Sequence, residues 1–279
     1  MRTLANTVLP RAGIFIVALL LGGPAAAQSP EDQARLAEFQ RKTADDLRNI
    51  PNYTCTERTT FFRGPNTGSL FPIGRSEREV AVVYGREMYL ARKDGRFEAP
   101  DAAAPAMNSG LTSIGEFSGH LRSFFLHRTL VLDPQSRKSA RVGRRRAWQY
   151  TFRLPYNLSE WAIQIGDQRQ MLAGRGVLWF DQKSLDLLRL RLVADEEIPP
   201  ALPVRLIEEE IDLERKRVGV SDTLLPARAS VRVHFFPRRV QMNQIEFHGC
   251  REFGTESTIR YDEGAAEAAA QPKAEKVQP

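Results

Sequence analysis

Histidine, cysteine and carboxylate residues are the groups in this chain that could carry out chemistry, and their spacing points away from catalysis. The sequence contains no HExxH, no GxSxG, no glycine-rich phosphate loop and no Cys/His spacing typical of zinc. His120 and His127 lie seven residues apart and could share a helix face, but two ligands do not make a metal site. Surface or capping positions explain them adequately. We therefore predict no catalytic residue, no metal site and no cofactor.

Runs of like charge are a second possible source of chemistry. Acidic runs lie at 195–197 and 208–210, but neighbouring residues on a strand point to opposite faces. Such a run cannot converge on one substrate, so we expect these carboxylates to be solvated. Arginine runs at 144–146 and 238–239 could contact lipid phosphates. Charged residues are also ordinary at turns and strand ends, and both interpretations stay open.

The chain has two cysteines, Cys55 and Cys250, near the two ends of its body. An even pair in an oxidising compartment favours a disulfide, which would be possible if both residues lie on paired terminal strands. The alternative is two buried thiols that never meet. A CxxC redox motif is absent.

The first 27 residues predict a secretory signal peptide. Arg2 and Arg11 precede a short apolar run, and three alanines ending at Ala27 supply the small residues of a cleavage site. The run is too short to span ~30 Å of hydrocarbon, so we expect a periplasmic or secreted protein with no transmembrane anchor after cleavage following Ala27. Export argues against nucleic-acid, ATP-driven and cytosolic redox functions. Residues 28–263 are predicted to form one domain, and 264–279 a disordered tail.

Two amphipathic helices are predicted near the start of the mature chain. Ser29 and Pro30 are typical of a helix start, and apolar residues then recur at helical spacing from 31 to 49. Ser113 and Glu116 have the spacing of a capping box, which predicts a second short helix with one aromatic face.

The remaining sequence predicts a large antiparallel sheet. Short segments of alternating polarity are separated by turn residues, most clearly at 148–154 and 186–193. The fold class is therefore α+β, with about ten strands in a curved sheet, an incomplete barrel, and two helices on its concave side. The concave side is expected to be closed by those helices or left as a cavity.

Large apolar residues on these elements are the candidates for a ligand-facing wall and lid. For any one of them core packing explains the pattern equally, because a barrel that encloses a ligand and a filled barrel share it. The predicted wall and lid residues are Phe117, Leu121, Phe124, Phe125, Trp148, Tyr150, Phe152, Trp161, Trp179, Leu188, Leu190 and Leu192.

Several segments resemble the bacterial periplasmic lipoprotein-carrier superfamily, which includes the outer-membrane lipoprotein carrier and its receptor. The resemblance is carried by the helix leading into 49–55, the strand 177–181 before 185–192, and the closing segment 247–253. It implies an incomplete antiparallel barrel that holds acyl chains under a helical lid, with Phe117, Leu121, Phe124 and Phe125 as the inner face of the lid. Some members of the superfamily instead bind partner proteins as envelope-stress sensors.

These observations predict an exported, non-catalytic protein that shelters an apolar ligand, either a lipid or an acylated protein, in a half-barrel cavity. The alternative is an interaction or envelope-sensing module that receives a partner protein on the same concave face. An envelope hydrolase is the third hypothesis, and the missing nucleophile motifs argue against it.

Overall fold

The structure is a computed structural model that describes residues 30–93, 96–98, 116–165, 168–194, 198–200 and 202–252. The predicted signal peptide and the predicted tail 264–279 lie outside the described residues. Within them, neither helix combines the length and the apolar character that crossing a bilayer requires.

Helix α1 spans Pro30–Arg48, as the sequence predicts. Its apolar stripe, including Leu36, Phe39 and Leu47, is buried, and its other faces are polar. Pro51 follows the helix closely and cannot continue it, since proline lacks the backbone N–H that a helix interior needs.

Helix α2 spans Gly119–Leu126, and it starts later than the capping-box pattern predicted. Ser118 occupies the N-cap without a side-chain capping bond. Glu116, expected to cap the first turn, instead lies in a turn before the helix and is 3% exposed. Ser113 lies outside the described residues.

The strands of the described part alternate with short turns. They are β1 Tyr53–Pro65, β2 Phe71–Val83, β3 Arg86–Lys93, β4 Arg96–Glu98, β5 Val131–Val142, β6 Arg145–Leu154, β7 Ala162–Ile165, β8 Gln168–Met171, β9 Gly174–Asp181, β10 Leu187–Ala194, β11 Val204–Val218, β12 Ser221–Phe235 and β13 Arg239–Glu252. A 3₁₀ turn at Tyr156–Leu158 follows β6.

Eleven of the described strands form one antiparallel sheet in the order β4-β3-β2-β1-β13-β12-β11-β10-β9-β6-β5, and β7 pairs with β8 separately. The edge strands β4 and β5 do not pair with each other, so the sheet is not closed. The α+β class, the incomplete barrel and the strand number agree with the prediction.

One face of the sheet, called the inner face here, packs against α1 and α2. Most odd-numbered residues of β12, together with Leu190, Leu192 and Ala194 of β10, are buried on this face. The opposite, outer face carries ion pairs such as Arg189–Asp212 and Arg191–Glu208. The core therefore lies between the inner face and the two helices, where strand alternation and the helix stripes meet.

Two strands extend further than the sequence pattern indicated. β2 begins at Phe71, although Pro72 and Gly74 are unusual in a strand interior. The segment 133–136 has the residue types of a turn, but it lies within β5 as an irregularity in its pairing with β6. There the Gln135 N–H donates to the Asp133 carboxylate at 2.9 Å.

Cys55 and Cys250 form a disulfide, with their Cα atoms 4.1 Å apart. They lie on β1 and β13, the first and last described strands, which are neighbours in the sheet. The predicted pairing is confirmed, and the bridge closes a loop across a sequence separation of 195.

Candidate functional site

The inner face brings together most of the predicted wall and lid. Tyr150 and Phe152 of β6, Leu190 and Leu192 of β10, and Trp161 are each at most 4% exposed. The lid residues Phe117, Leu121, Phe124 and Phe125 are at most 6% exposed and belong to the same core cluster.

Aromatic side chains of α1 and of the turn before α2 fill the space above the sheet. Phe39 of α1 stacks on Phe180 with ring centroids 4.6 Å apart. Phe117 lies between Tyr53 and Phe247, at 5.0 and 4.9 Å. The side chains of the two helices thus occupy the concave side in this conformation.

The expected open hollow is therefore not found within the described residues. Two open pockets of about 360 Å³ each are present, and neither is lined by any predicted wall or lid residue. One lies on the outer face beside Phe62 and Met242, and the other runs along the polar side of α1.

Three predicted wall residues are placed differently. Trp179 pairs with Arg189 and Gln149 on the outer face, so it does not join the wall. A register shift between Leu187 and Arg189 puts Leu187 opposite Phe180 in the core cluster, and Leu188 is buried outside that cluster.

Trp148 is only partly buried. The Arg137 guanidinium lies over its ring at 4.6 Å, so this residue marks the margin of the wall near the edge strand β5.

A cluster of ionisable side chains, formed by Glu87, Glu116, His120 and Glu209, lies where α2 meets the sheet. His120 Nδ1 and Glu209 Oε1 are 2.6 Å apart, and these side chains are 13% and 2% exposed. The Gly119 N–H donates to Glu87 Oε2 at 3.2 Å, so a carboxylate of β3 caps α2. Because Glu87 belongs to β3 and Glu209 to β11, polar contacts attach α2 to two strands that are far apart in the sheet order.

This cluster corrects two predictions. Glu209 was expected to be solvated, and it is buried on the inner face, whereas Glu208 and Glu210 pair with arginines on the outer face. His120 was expected at the surface and instead contacts Glu209, whereas His127 is exposed. A glutamate between inner-face isoleucines 207 and 211 was the available signal, because strand alternation places all three on one face.

The cluster shifts the proton affinities of its members. Burial first, and then the Glu209 carboxylate, raise the pKa of Glu116 to about 8. Burial alone would lower the pKa of His120, but Glu209 raises it to about 9 through its charge and hydrogen bond. At neutral pH the cluster therefore holds a protonated Glu116 beside a His120–Glu209 ion pair.

Two hydroxyls border the cluster without hydrogen-bond partners among the described residues. They are Tyr53 Oη and Ser118 Oγ, both buried. Burial, and next the charge of Glu87, raise the pKa of Tyr53 well above its ordinary value. The interface beneath α2 is thus incompletely satisfied, which a fully apolar core would avoid.

Helix α1 is attached differently, by an ion-pair network at its C-terminal half. Lys42 and Arg215 each contact Asp186 at 2.8 Å, and Arg215 also contacts Asp46 at 2.9 Å. The Asp186 side chain is 3% exposed. Although burial opposes it, hydrogen bonds from Arg215, Lys42 and Ser184 hold the pKa of Asp186 well below its usual range.

Among the described residues, His, Cys, Asp and Glu side chains form no group of three placed to hold a metal ion. The site instead combines the large apolar surface of the inner face with a buried polar cluster beneath α2, the shorter of the two helices that cover this face.

Comparisons with known proteins give fold likeness only. No protein-family model and no curated protein matches the chain. It is similar to a solved DUF1329 family protein from Desulfovibrio piger, with a TM-score of 0.42 and 10% identity over 84% of this chain and 98% of the other.

Two further solved structures are similar. A domain from Vibrio parahaemolyticus, described as an outer membrane lipoprotein-sorting protein, has a TM-score of 0.39 and 8% identity over 83% of this chain and 96% of the other. A LolA superfamily protein from Nitrosomonas europaea has a TM-score of 0.29 and 7% identity over 78% and 94%.

Proposed function

We propose that this protein is an exported, non-catalytic binding protein that shelters an acyl chain, of a lipid or of an acylated protein, on the inner face beneath α2. The proposal rests on the difference between the apolar floor and the partly polar contacts of the helix that covers it. An extended apolar floor is covered by a helix of eight residues whose contacts to the sheet include buried polar groups.

Displacement of α2 is the step that gives a ligand access. α1 is 19 residues long and is tied to the sheet through Asp186, whereas α2 is held by His120 and by the capping carboxylate of Glu87. A short helix with unsatisfied hydroxyls at its interface is the less stable of the two covers.

The free energies of burial allow an acyl chain to replace the lid side chains on the apolar floor. Withdrawing the four lid side chains from the floor costs about 2 kcal/mol each, or roughly 8 kcal/mol in total. An acyl chain of about 16 carbons recovers roughly 0.8 kcal/mol per buried methylene, or about 13 kcal/mol. A long chain therefore offsets the opening, whereas a chain of about 8 carbons does not.

The direct test is organic extraction of the protein after mild purification from its native compartment, with mass spectrometry of the extract. We expect lipid in stoichiometric amount. Protein that carries no lipid, and takes up none when incubated with long-chain acyl lipid, would overturn the proposal. A stoichiometric polypeptide in place of lipid would support the interaction module instead.

The lid step has its own test in the double variant His120→Leu/Glu209→Leu. Replacing a buried ion pair by apolar residues is often neutral or stabilising, so α2 should close more firmly and acyl-lipid uptake should slow. The matched control is His127→Leu/Glu160→Leu, which removes an exposed His–Glu pair beyond the end of α2. Equal uptake rates for both variants would show that α2 is not the lid.

A further inference from the structure

Three segments of the sequence carry arginine and no acidic residue. They are residues 58–76, 198–207 and 223–245, which together contain eight arginines and no Asp or Glu. The whole chain has 34 acidic residues, so stretches of this length without one indicate a local excess of positive charge.

The sheet brings the ends of these segments together. Phe71 of β2 pairs with Arg63 of β1, which pairs in turn with Gln241 of β13. Arg239 at the start of β13 pairs with Phe235 at the end of β12, and Val204 at the start of β11 pairs with the same residue. Four adjacent strand pairs thus end at one place, which we name the arginine-rich end.

Hydrogen bonds between turns fix the shape of this end. The Asn66 N–H donates to the Arg238 carbonyl at 3.0 Å, which joins the β1–β2 turn to the β12–β13 turn. The Phe236 N–H donates to the Pro203 carbonyl at 2.9 Å, which joins the segment before β11 to the same surface. The arginine-rich end is therefore a built surface.

Large apolar side chains project from this surface. Phe71 is 61% exposed and Phe236 58%, and Ile73 is also exposed. Phe71 and Phe236 lie on β2 and at the end of β12, three strand spacings apart, or about 14 Å. Exposed aromatic residues at turns have no role in the core.

The arginines near these side chains have no carboxylate partner among the described residues. Arg63, Arg205, Arg238 and Arg239 are exposed and form no ion pair with a described residue. Arg232 borders the outer-face pocket of about 360 Å³, where it contacts the Met242 sulfur at 3.3 Å. These guanidinium groups are available to an anionic partner.

We propose that the arginine-rich end docks this protein on an anionic lipid bilayer, with Phe71 and Phe236 entering the interfacial region and the arginines contacting lipid phosphates. Interspersed arginine and aromatic side chains match a surface whose phosphates and acyl chains lie at successive depths. An acidic protein surface would pair with the arginines but would leave the separated aromatic side chains without a common apolar partner. This docking surface lies outside the α2 lid and does not depend on it.

The test is co-sedimentation of the full mature chain with vesicles of phosphatidylcholine, with and without phosphatidylglycerol, at low salt. We expect binding to the anionic vesicles only, and its loss in high salt. Arg238→Glu/Arg239→Glu should weaken binding by at least about 25-fold, since each arginine contributes roughly a factor of five. Phe71→Ser/Phe236→Ser should weaken binding while leaving its salt dependence intact. The acidic run 195–197, which lies between β10 and β11 in the sequence and outside the described residues, is present in the natural chain and in every variant tested.

Arg144→Glu/Arg146→Glu is the matched control, because it changes the charge equally in the β5–β6 turn region at the opposite end of the sheet. An equal loss of binding in this control would show that net charge alone explains the binding, and it would overturn the proposal that the arginine-rich end is the docking surface. No binding of the natural chain to anionic vesicles would also overturn it. Lipid extraction and lid kinetics are separate measurements, so either proposal can fail alone.

Discussion

Glu116 joins full burial to a neighbouring negative charge, and this makes it the most pH-sensitive side chain beneath α2. Its proton is retained because ionisation would place a second anion next to Glu209 without water. His120 cannot neutralise both carboxylates, since its hydrogen bond is to Glu209. The lid interface therefore depends on a proton as well as on apolar contacts.

The pH dependence of stability follows from the direction of this shift. The folded-state pKa of Glu116, about 8, exceeds its ordinary value of 4.5, so the folded state holds a proton that the unfolded state releases. The free energy of unfolding should fall as pH rises through this window, and Glu116→Gln should remove that part of the slope. Urea unfolding at pH 5 and pH 8 should show that the variant gains about 3 kcal/mol of stability relative to the natural protein between these two pH values. The exposed Glu38→Gln should leave the slope unchanged; a natural slope in Glu116→Gln would contradict the assignment.

Gly176 sets how closely Phe152 packs on the inner face. A Cβ built on Gly176 would lie 2.1 Å from the Arg191 carbonyl oxygen and 2.4 Å from the Phe152 ring. Since one obstacle is backbone, Gly176→Ala should lower the free energy of unfolding by about 2–3 kcal/mol. Gly143→Ala meets no neighbouring atom within 4 Å and changes only a positive φ of 57°, so about 1 kcal/mol is expected. Denaturant titration of both variants checks the order, and an equal loss would refute the packing argument.

At the scale of elements, the two helices are attached by different means. The α1 network centres on a nearly buried carboxylate, so Asp186→Asn should leave Lys42 and Arg215 without their shared partner and destabilise the fold by about 2 kcal/mol. The lowered pKa of Asp186 means that its contribution is present near neutral pH and is lost as pH falls through that pKa. Hydrogen exchange should accelerate in α1 before α2. The exposed Asp45→Asn, which loses only Arg48, is the control; identical exchange in both variants would argue against an anchoring role.

Elements were predicted well where their pattern is local. The stripe of α1 and the alternation in β6 and β10 each come from the residues of one segment. The start of α2 was missed because its cap, Glu87, comes from β3, 32 residues away. The register shift at Leu187–Arg189 leaves Leu188 buried but outside the inner-face cluster. Pairing with β9 decides this placement, and the β10 sequence does not.

At the scale of the whole molecule, the sequence predicted most of the apolar wall of the candidate site, but it did not predict the contacts that the two helices make with that wall. Alternation identified most of the apolar wall, but it could not show that α1 and α2 fill the concave side, because filled and open barrels share the pattern. The buried ion pair joins residues 89 apart, and only the assembled fold brings them into contact. Long-range pairing is thus the information that a single segment lacks.

The disulfide joins the first and last described strands, and its removal tests how the open sheet is held together. Cys55→Ala/Cys250→Ala leaves the β1–β13 ladder in place but frees a loop with a sequence separation of 195 in the unfolded state. The chain-entropy relation gives a loss of at most about 5 kcal/mol for such a loop. Because the unfolded chain gains the freedom, the urea midpoint should fall while the folded-state circular dichroism is unchanged. The natural protein in reductant should have the same urea midpoint as the double variant. Mass spectrometry should find the reduced natural protein heavier than the oxidised natural protein by two hydrogens. An unchanged midpoint would mean that the sheet order alone holds the two terminal strands together.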